Sequence, residues 1–284
     1  MTSIFITGGT GYLGRVLVRQ ARLGGHHVAA SYYTQAPPST EAIWLPLDVR
    51  DELAVEDLLE RLRPEVVIHT AYQQGGPDLL PVTAMGAGNV ARAAAAIGAR
   101  LIHLSSDVIF DGEREGVYTE DDLPSPVSAY GAAKAQAEAL VTAAHPEAVV
   151  VRTSLIYGFA PIDRSSQFVL DVATGRSPER LFTDEFRCPI YVEDLAAALL
   201  ELCALPYRGP LHVAGAEVLS RYAFGALIAR AWNVDPSGIQ GALSADSPVR
   251  RPRNCALDSS RARQLLQTRL RGVSEVLRDL GRLT

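Results

Sequence analysis

The chain is predicted to be an α/β protein: a doubly wound parallel sheet carrying a smaller, interleaved C-terminal lobe. Three observations lead there. Through residues 1–155, short β-branched runs alternate with longer helical patterns, which implies parallel strands joined by helical crossovers. Those runs are almost continuously apolar, as strands covered on both faces must be. A glycine-rich loop also stands directly between the first strand and the first helix.

Taken in order, strands are expected at Ser3–Thr7, His27–Tyr32, 66–70, 100–105 and 148–153. Between them, 15–23, 52–63 and 82–97 show helical apolar spacing. Asp51 is suited to cap the second of these helices and Gly98 to end the third. After Gly158 the regularity weakens. Residues 159–187 and 206–284 carry most of the proline and a high density of arginine. Residues 190–205 read as a helix, 210–214 as a strand and 222–232 as another helix. The expected division is a nucleotide-type domain of residues 1–158 plus about 188–214, with 159–187 and 215–284 forming the second lobe.

The chain has 284 residues with 27 basic and 32 acidic side chains, a net charge of −5. Mild acidity argues against an electrostatic grip on nucleic acid or an anionic membrane. No apolar run approaches the roughly 20 residues that span a bilayer, and no secretory leader is visible. The three cysteines are widely spaced, fitting neither a disulfide framework nor a zinc site, and His26-His27 lacks metal-ligand spacing. The expectation is a soluble, cytoplasmic protein without a metal.

The first chemical motif is T-G-G-T-G-Y-L-G, residues 7–14. Gly8, Gly11 and Gly14 suit a tight turn, close approach to a pyrophosphate, and helix–strand packing. Thr10, Tyr12, Leu13 and Arg15 belong to the same cofactor loop. The second strand ends in Ser31-Tyr32-Tyr33-Thr34, with no carboxylate to hold a ribose or repel a 2′-phosphate. Arg15 is available for such a phosphate, so NADPH is expected, with NADH as the alternative. Asp48, with Val49, follows a third strand and suits an adenine contact, although an aspartate there also suits helix initiation.

The second motif is Y-G-A-A-K, Tyr130 to Lys134. On a helix these residues share a face, so the ammonium favours the phenolate and prepares the phenol to protonate a carbonyl oxygen. Lys134 is the single lysine of the chain. With ten tyrosines present, a lysine placed at random would fall four after one only about 4% of the time. The spacing is therefore informative, against the ordinary alternative of a packed aromatic and a solvated lysine. Ser106 ends the strand beginning near Arg100, where ligands of open α/β sheets bind, and its hydroxyl could donate to a developing alkoxide; capping a turn is the plainer role. His69 and His103 lie in predicted strands and are expected to be packed and hydrogen-bonded rather than catalytic. Arg187, Arg250, Arg251 and Arg253 suit a diphosphate or, equally, a solvated arginine-rich surface.

Together these motifs resemble the extended short-chain dehydrogenase/reductase family, and more narrowly its dTDP-4-dehydrorhamnose reductase branch. The resemblance runs through H-T-A-Y (69–72), H-L-S-S-D-V-I-F-D-G (103–112), Y-T-E-D-D-L-P-S-P-V-S-A-Y-G-A-A-K (118–134), R-T-S-L-I-Y-G (152–158) and R-P-R-N-C-A-L-D (251–258). It implies a Rossmann fold, Tyr130 as acid, Lys134 as its ribose-binding partner and Ser106 as carbonyl polariser. It further implies Ala71, Tyr72 and Thr153 beside the cofactor, Asp107 and Val108 beside a nucleotide-sugar, and a homodimer. Val108 stands where the reductases usually have tyrosine and where related dehydratases carry a glutamate, so elimination loses its base. Two alternatives to the reductase stay open. One is an NAD-dependent epimerase with the same trio; the other is a non-catalytic, cofactor-sensing regulatory subunit, as a relative of this branch is for methionine adenosyltransferase.

Overall fold

The computed structural model describes residues 1–283. In chain order the first elements are β1 (Ser3–Thr7), α1 (Tyr12–Leu23), β2 (His27–Tyr32), β3 (Ile43–Pro46), α2 (Glu52–Leu62) and β4 (Val66–His69). They continue with α3 (Gly86–Ala96), β5 (Arg100–Ser106), α4 (Ala129–Ala144) and β6 (Val149–Thr153). The chain divides into two compact units. The first comprises Met1–Ser106, Ala129–Arg152 and Ala196–Leu211; the second comprises Asp107–Ser128, Thr153–Leu195 and the chain from His212 onward.

The first unit holds the central sheet, seven strands in the order Gly209–His212, β6, β5, β4, β1, β2, β3. Pairings among β3, β2, β1, β4 and β5 are all parallel. The order reverses at β1, with β2 and β3 on one side and β4 to β6 on the other. The carboxyl ends of β1 and β4 therefore flank the switch point where such sheets bind ligands.

One face of the sheet buries Phe5, Val67, Leu101 and Val150 against α2, α3 and α4, including Ala137 and Val141 of α4. Side chains alternate along a strand, so the residues two further on share that face. They are Thr7, His69, His103 and Arg152. The same sheet face thus turns from apolar to polar in one step across four neighbouring strands, β1, β4, β5 and β6.

The predicted strands and helices differ from the observed ones mainly in detail. The helix expected at 82–97 opens with a wide π turn, Pro81–Met85, before α3. There the Thr83 hydroxyl donates to the Gln73 carbonyl and accepts from its N–H, holding the loop after β4. The helix expected at 190–205 begins as a two-residue strand, Ile190–Tyr191, paired with Ile156–Tyr157, and becomes helical only from Val192 to Leu202. The second unit surrounds its own aromatic core of Tyr157, Phe224, Ile228, Val273 and Val276. No helix among the described residues is long and apolar enough to cross a membrane.

Candidate active site

The glycine loop begins where β1 ends. Gly8 has φ +66°, and a Cβ there would come within 2.9 Å of the Ala71 backbone, so a side chain would force apart the ends of β1 and β4. At Gly14 a Cβ would meet the Gly8 carbonyl oxygen at 2.2 Å, which is how α1 packs so close to the loop. Gly11 is different: it is the N-cap of α1, caps with no side chain, and its missing Cβ would meet only the Gly8 oxygen, at 3.1 Å. The first turn of α1 is therefore open to an anion, which its N–H groups and dipole favour. Leu13 is buried, Tyr12 is half-buried, and the exposed Arg15 donates from Nε to the Thr10 carbonyl at 2.9 Å.

Asp48 is clamped by Arg50, whose Nε reaches Oδ1 at 2.9 Å and Oδ2 at 3.0 Å and whose Nη2 reaches Oδ2 at 2.7 Å. These bonds hold its carboxyl below the usual carboxylate range. Arg50 also donates to the Tyr33 hydroxyl at 2.7 Å and to Asp78 at 2.7 Å. Arg50 was not singled out from the sequence, although its place two residues after Asp48 is a signal that could have found it. Val49 is buried against Gly86, where a Cβ would lie 2.6 Å from its Cγ2.

Tyr130 and Lys134 lie in the first two turns of α4, which packs on β5, the strand that Ser106 ends. Lys134 is 4% exposed and donates from Nζ to the Leu104 carbonyl at 2.6 Å, two residues before Ser106. The exposed ring of Tyr72 faces both members of the pair: its centroid is 5.9 Å from the Tyr130 ring and 5.9 Å from Lys134 Nζ. Burial pushes the ammonium down to about 8. Beneath it, His69 and His103 are register partners on β4 and β5 and stack with centroids 5.3 Å apart. The Thr7 hydroxyl accepts from the Thr70 N–H at 3.2 Å and shares a hydrogen bond of 2.7 Å with His69 Nδ1. Burial holds His69 down to about 3 and His103 far below its ordinary range, so both rings are neutral. They are packed as expected. Only His69 is hydrogen-bonded, because both ring nitrogens of His103 lack a partner among the described residues.

The second unit carries the remaining candidates. The buried Asp107 accepts from Ser154 Oγ at 2.7 Å. Thr153 donates to the Val213 carbonyl at 2.7 Å, and Val108 is half-buried. Arg187 is neither solvated nor open. It is 5% exposed, with donors on the carbonyls of Phe186 at 2.7 Å and Pro252 at 3.0 Å, on Glu185 at 3.1 Å, and Nε 3.6 Å from Asp107. Glu185 also accepts from Arg251, at 2.7 Å. Arg253 is exposed. Stretches that carry the resemblance meet in this unit: a Cβ on Gly112 would strike the Arg253 backbone nitrogen at 2.4 Å, and the Tyr118 N–H donates to the Ala256 carbonyl at 2.8 Å.

A glycine loop at the switch point of a parallel sheet, with a tyrosine–lysine pair on a following helix, defines a Rossmann-like α/β protein. The chain belongs to the family described as RmlD substrate binding domain, whose model matches residues 1–281. It is 35% identical, over 97% of its length and 84% of the relative's, to dTDP-4-dehydrorhamnose reductase of Mycolicibacterium smegmatis. It is 32% identical, over 92% of its length and 82% of the relative's, to methionine adenosyltransferase 2 subunit beta of Rattus norvegicus. Among solved structures, a dTDP-4-dehydrorhamnose reductase of Clostridium acetobutylicum matches with a TM-score of 0.84 at 25% identity, covering 97% of both chains.

Proposed function

We propose that the chain is an NADPH-dependent reductase, with NADH as the alternative cofactor, acting on a nucleotide-linked 4-keto-deoxysugar of the dTDP-4-dehydrorhamnose type. The observation that carries this reading is the buried Lys134, fixed to the end of β5 on the same helix face as Tyr130, in a chain 35% identical to such a reductase. The open first turn at Gly11 fits a pyrophosphate, held by the loop from Gly8 to Arg15 with Asp48, Val49, Ala71, Tyr72 and Thr153 along the rest of the cofactor. When bound, the dihydronicotinamide supplies hydride to C4. Tyr130 gives its hydroxyl proton to the C4 oxygen, Lys134 stabilises the phenolate left behind, and Ser106 donates a hydrogen bond to the same oxygen. In the second unit, Asp107 and Val108 take the sugar and the exposed Arg253 the diphosphate. Arg187 supports Arg253 by donating to its carbonyl at 3.3 Å. A cytoplasmic homodimer belongs to the same reading, its subunits meeting on the alanine-rich face of α4.

The test is NADPH oxidation against a panel of keto-sugar nucleotides. Turnover is expected with at least one, and Tyr130→Phe should keep NADPH binding while kcat falls by about 10²–10⁴-fold. An unimpaired variant would remove the mechanism. The 32% identity to a methionine adenosyltransferase subunit favours a second reading, a cofactor-binding regulatory subunit. NADPH binding without turnover on the whole panel, together with co-purification of a partner enzyme, would put that reading in place of the first.

A further inference from the structure

Lys134 has an acidic neighbour whose charge favours the ammonium but which it does not contact directly. Glu138 stands four residues further along α4, a spacing at which a lysine and a glutamate ordinarily form an ion pair. Among the described residues Lys134 forms no ion pair; its ammonium reaches instead to the Leu104 carbonyl and the face of Tyr72. The reason lies on β6. Arg152 donates from Nε to both oxygens of Glu138, each at 3.2 Å, and from Nη2 to Oε2 at 2.9 Å. The two side chains are 6% and 9% exposed. Arg152 belongs to the polar row of the sheet face, two residues beyond the core residue Val150, so β6 delivers its guanidinium under the middle of α4.

We propose that Arg152 and Glu138 are positioning residues for Lys134: by occupying both oxygens of the Glu138 carboxylate, Arg152 keeps the single lysine from folding back along its own helix and directs it toward Tyr130 and the end of β5. The groups facing Lys134 are few. They are His69 on β4, His103 on β5, Tyr72 after β4, Tyr130 and Glu138 on α4, and Arg152 behind Glu138. The two histidines stay neutral across the range in which the lysine titrates. Among the described residues Glu138 is therefore the one anion able to compete for the ammonium, and Arg152 decides whether it does. This inference deepens the proposed reaction, but its decisive readout needs no substrate.

Because the chain has one lysine, protein grown on 13C-lysine gives a single side-chain signal, and Lys134 can be titrated directly in the folded, free protein. Arg152→Met releases Glu138 toward the lysine and should raise its titration by about one pH unit, tenfold in proton affinity. Glu138→Gln removes the carboxylate charge that favours the ammonium and should lower it. The double variant, Arg152→Met with Glu138→Gln, removes both charges and should titrate between the two single variants. Unchanged titration in Arg152→Met, or shifts of the same sign in both single variants, overturns the proposal, because a purely structural pair would move neither signal in opposite directions. Should Arg152→Met fail to fold, Arg152→Gln, which keeps a polar group beside Glu138, takes its place: a rise in the Lys134 titration supports the proposal, and no change or a fall overturns it. Opposed shifts in a protein that turns over no keto-sugar nucleotide would uphold the positioning and reject the reductase instead.

Discussion

Two cations are almost equally buried in this chain, Lys134 at 4% exposure in the first unit and Arg187 at 5% in the second, yet they are held in opposite ways. Lys134 has one carbonyl and one aromatic face, and burial brings it down to about 8. Arg187 has three carbonyls and the Glu185 carboxylate around its donors, with Asp107 close to Nε, and its charge is held above the ordinary arginine value. A buried charge left short of partners is unfavourable in isolation and available to a ligand or a proton. A saturated one is a strut. The number of partners, rather than burial, separates the residue expected to react from the residue expected to support.

The largest effect expected from this contrast is on stability. Arg187→Met removes a buried guanidinium from beside Glu185 and Asp107, leaving Glu185 to Arg251, and should cost about 3–5 kcal/mol. That corresponds to a fall in melting temperature on the order of 10 °C. Thermal melts of the variant and the parent check it, and a loss below about 1 kcal/mol would mean that the contacts around Arg187 are incidental.

Lys134→Met should do the reverse. The folded chain holds the ammonium at about 8 against an ordinary value of 10.5. Between those pH values the unfolded chain binds a proton that the folded chain does not, so stability rises with pH through the window. Below it the charged lysine is an unfavourable burial that methionine removes, for a gain of about 1–3 kcal/mol at pH 7. Turnover should be lost at the same time. In the parent, kcat/KM should fall as pH rises past about 8, because the proposed mechanism uses the charged form. A melting temperature that drops in Lys134→Met would show the lysine to be structural after all.

What could be read from the sequence follows from how local each feature is. Strands such as Ser3–Thr7 and His27–Tyr32 carry their own apolar, β-branched signature, and the Tyr130–Lys134 spacing lies within one helix. The two-residue ladders of the second unit, such as Leu219–Ser220 against Phe186–Arg187, are too short to have a period, so only the folded chain reveals them. Arg187 read as a surface or diphosphate arginine because nothing local shows that Pro252 and Glu185 close over it. The Arg152–Glu138 pair was invisible for the same reason, since it joins a strand to a helix through tertiary packing alone. The polar step at Thr7, His69, His103 and Arg152 was written in four separate strands. It became a single feature only once the sheet order set them side by side.

The same distinction, applied at the surface, gives the smallest and most discriminating effect. Arg15 and Arg50 are both arginines of the first unit that the proposed reading could set against a 2′-phosphate. Arg50 is occupied by Asp48, Asp78 and the Tyr33 hydroxyl, whereas among the described residues Arg15 spends only its Nε, on the Thr10 carbonyl. If partner number decides availability, Arg15 is the phosphate ligand. Arg15→Ala should then weaken NADPH binding by about fivefold, roughly 1 kcal/mol, and leave NADH unchanged. Arg50→Ala should leave the ratio of the two affinities where it was. Titration of each variant with both cofactors separates the cases: a selective loss of NADPH in Arg50→Ala would show that an arginine with its donors committed to carboxylates can still exchange them for phosphate, and that counting partners fails outside the core.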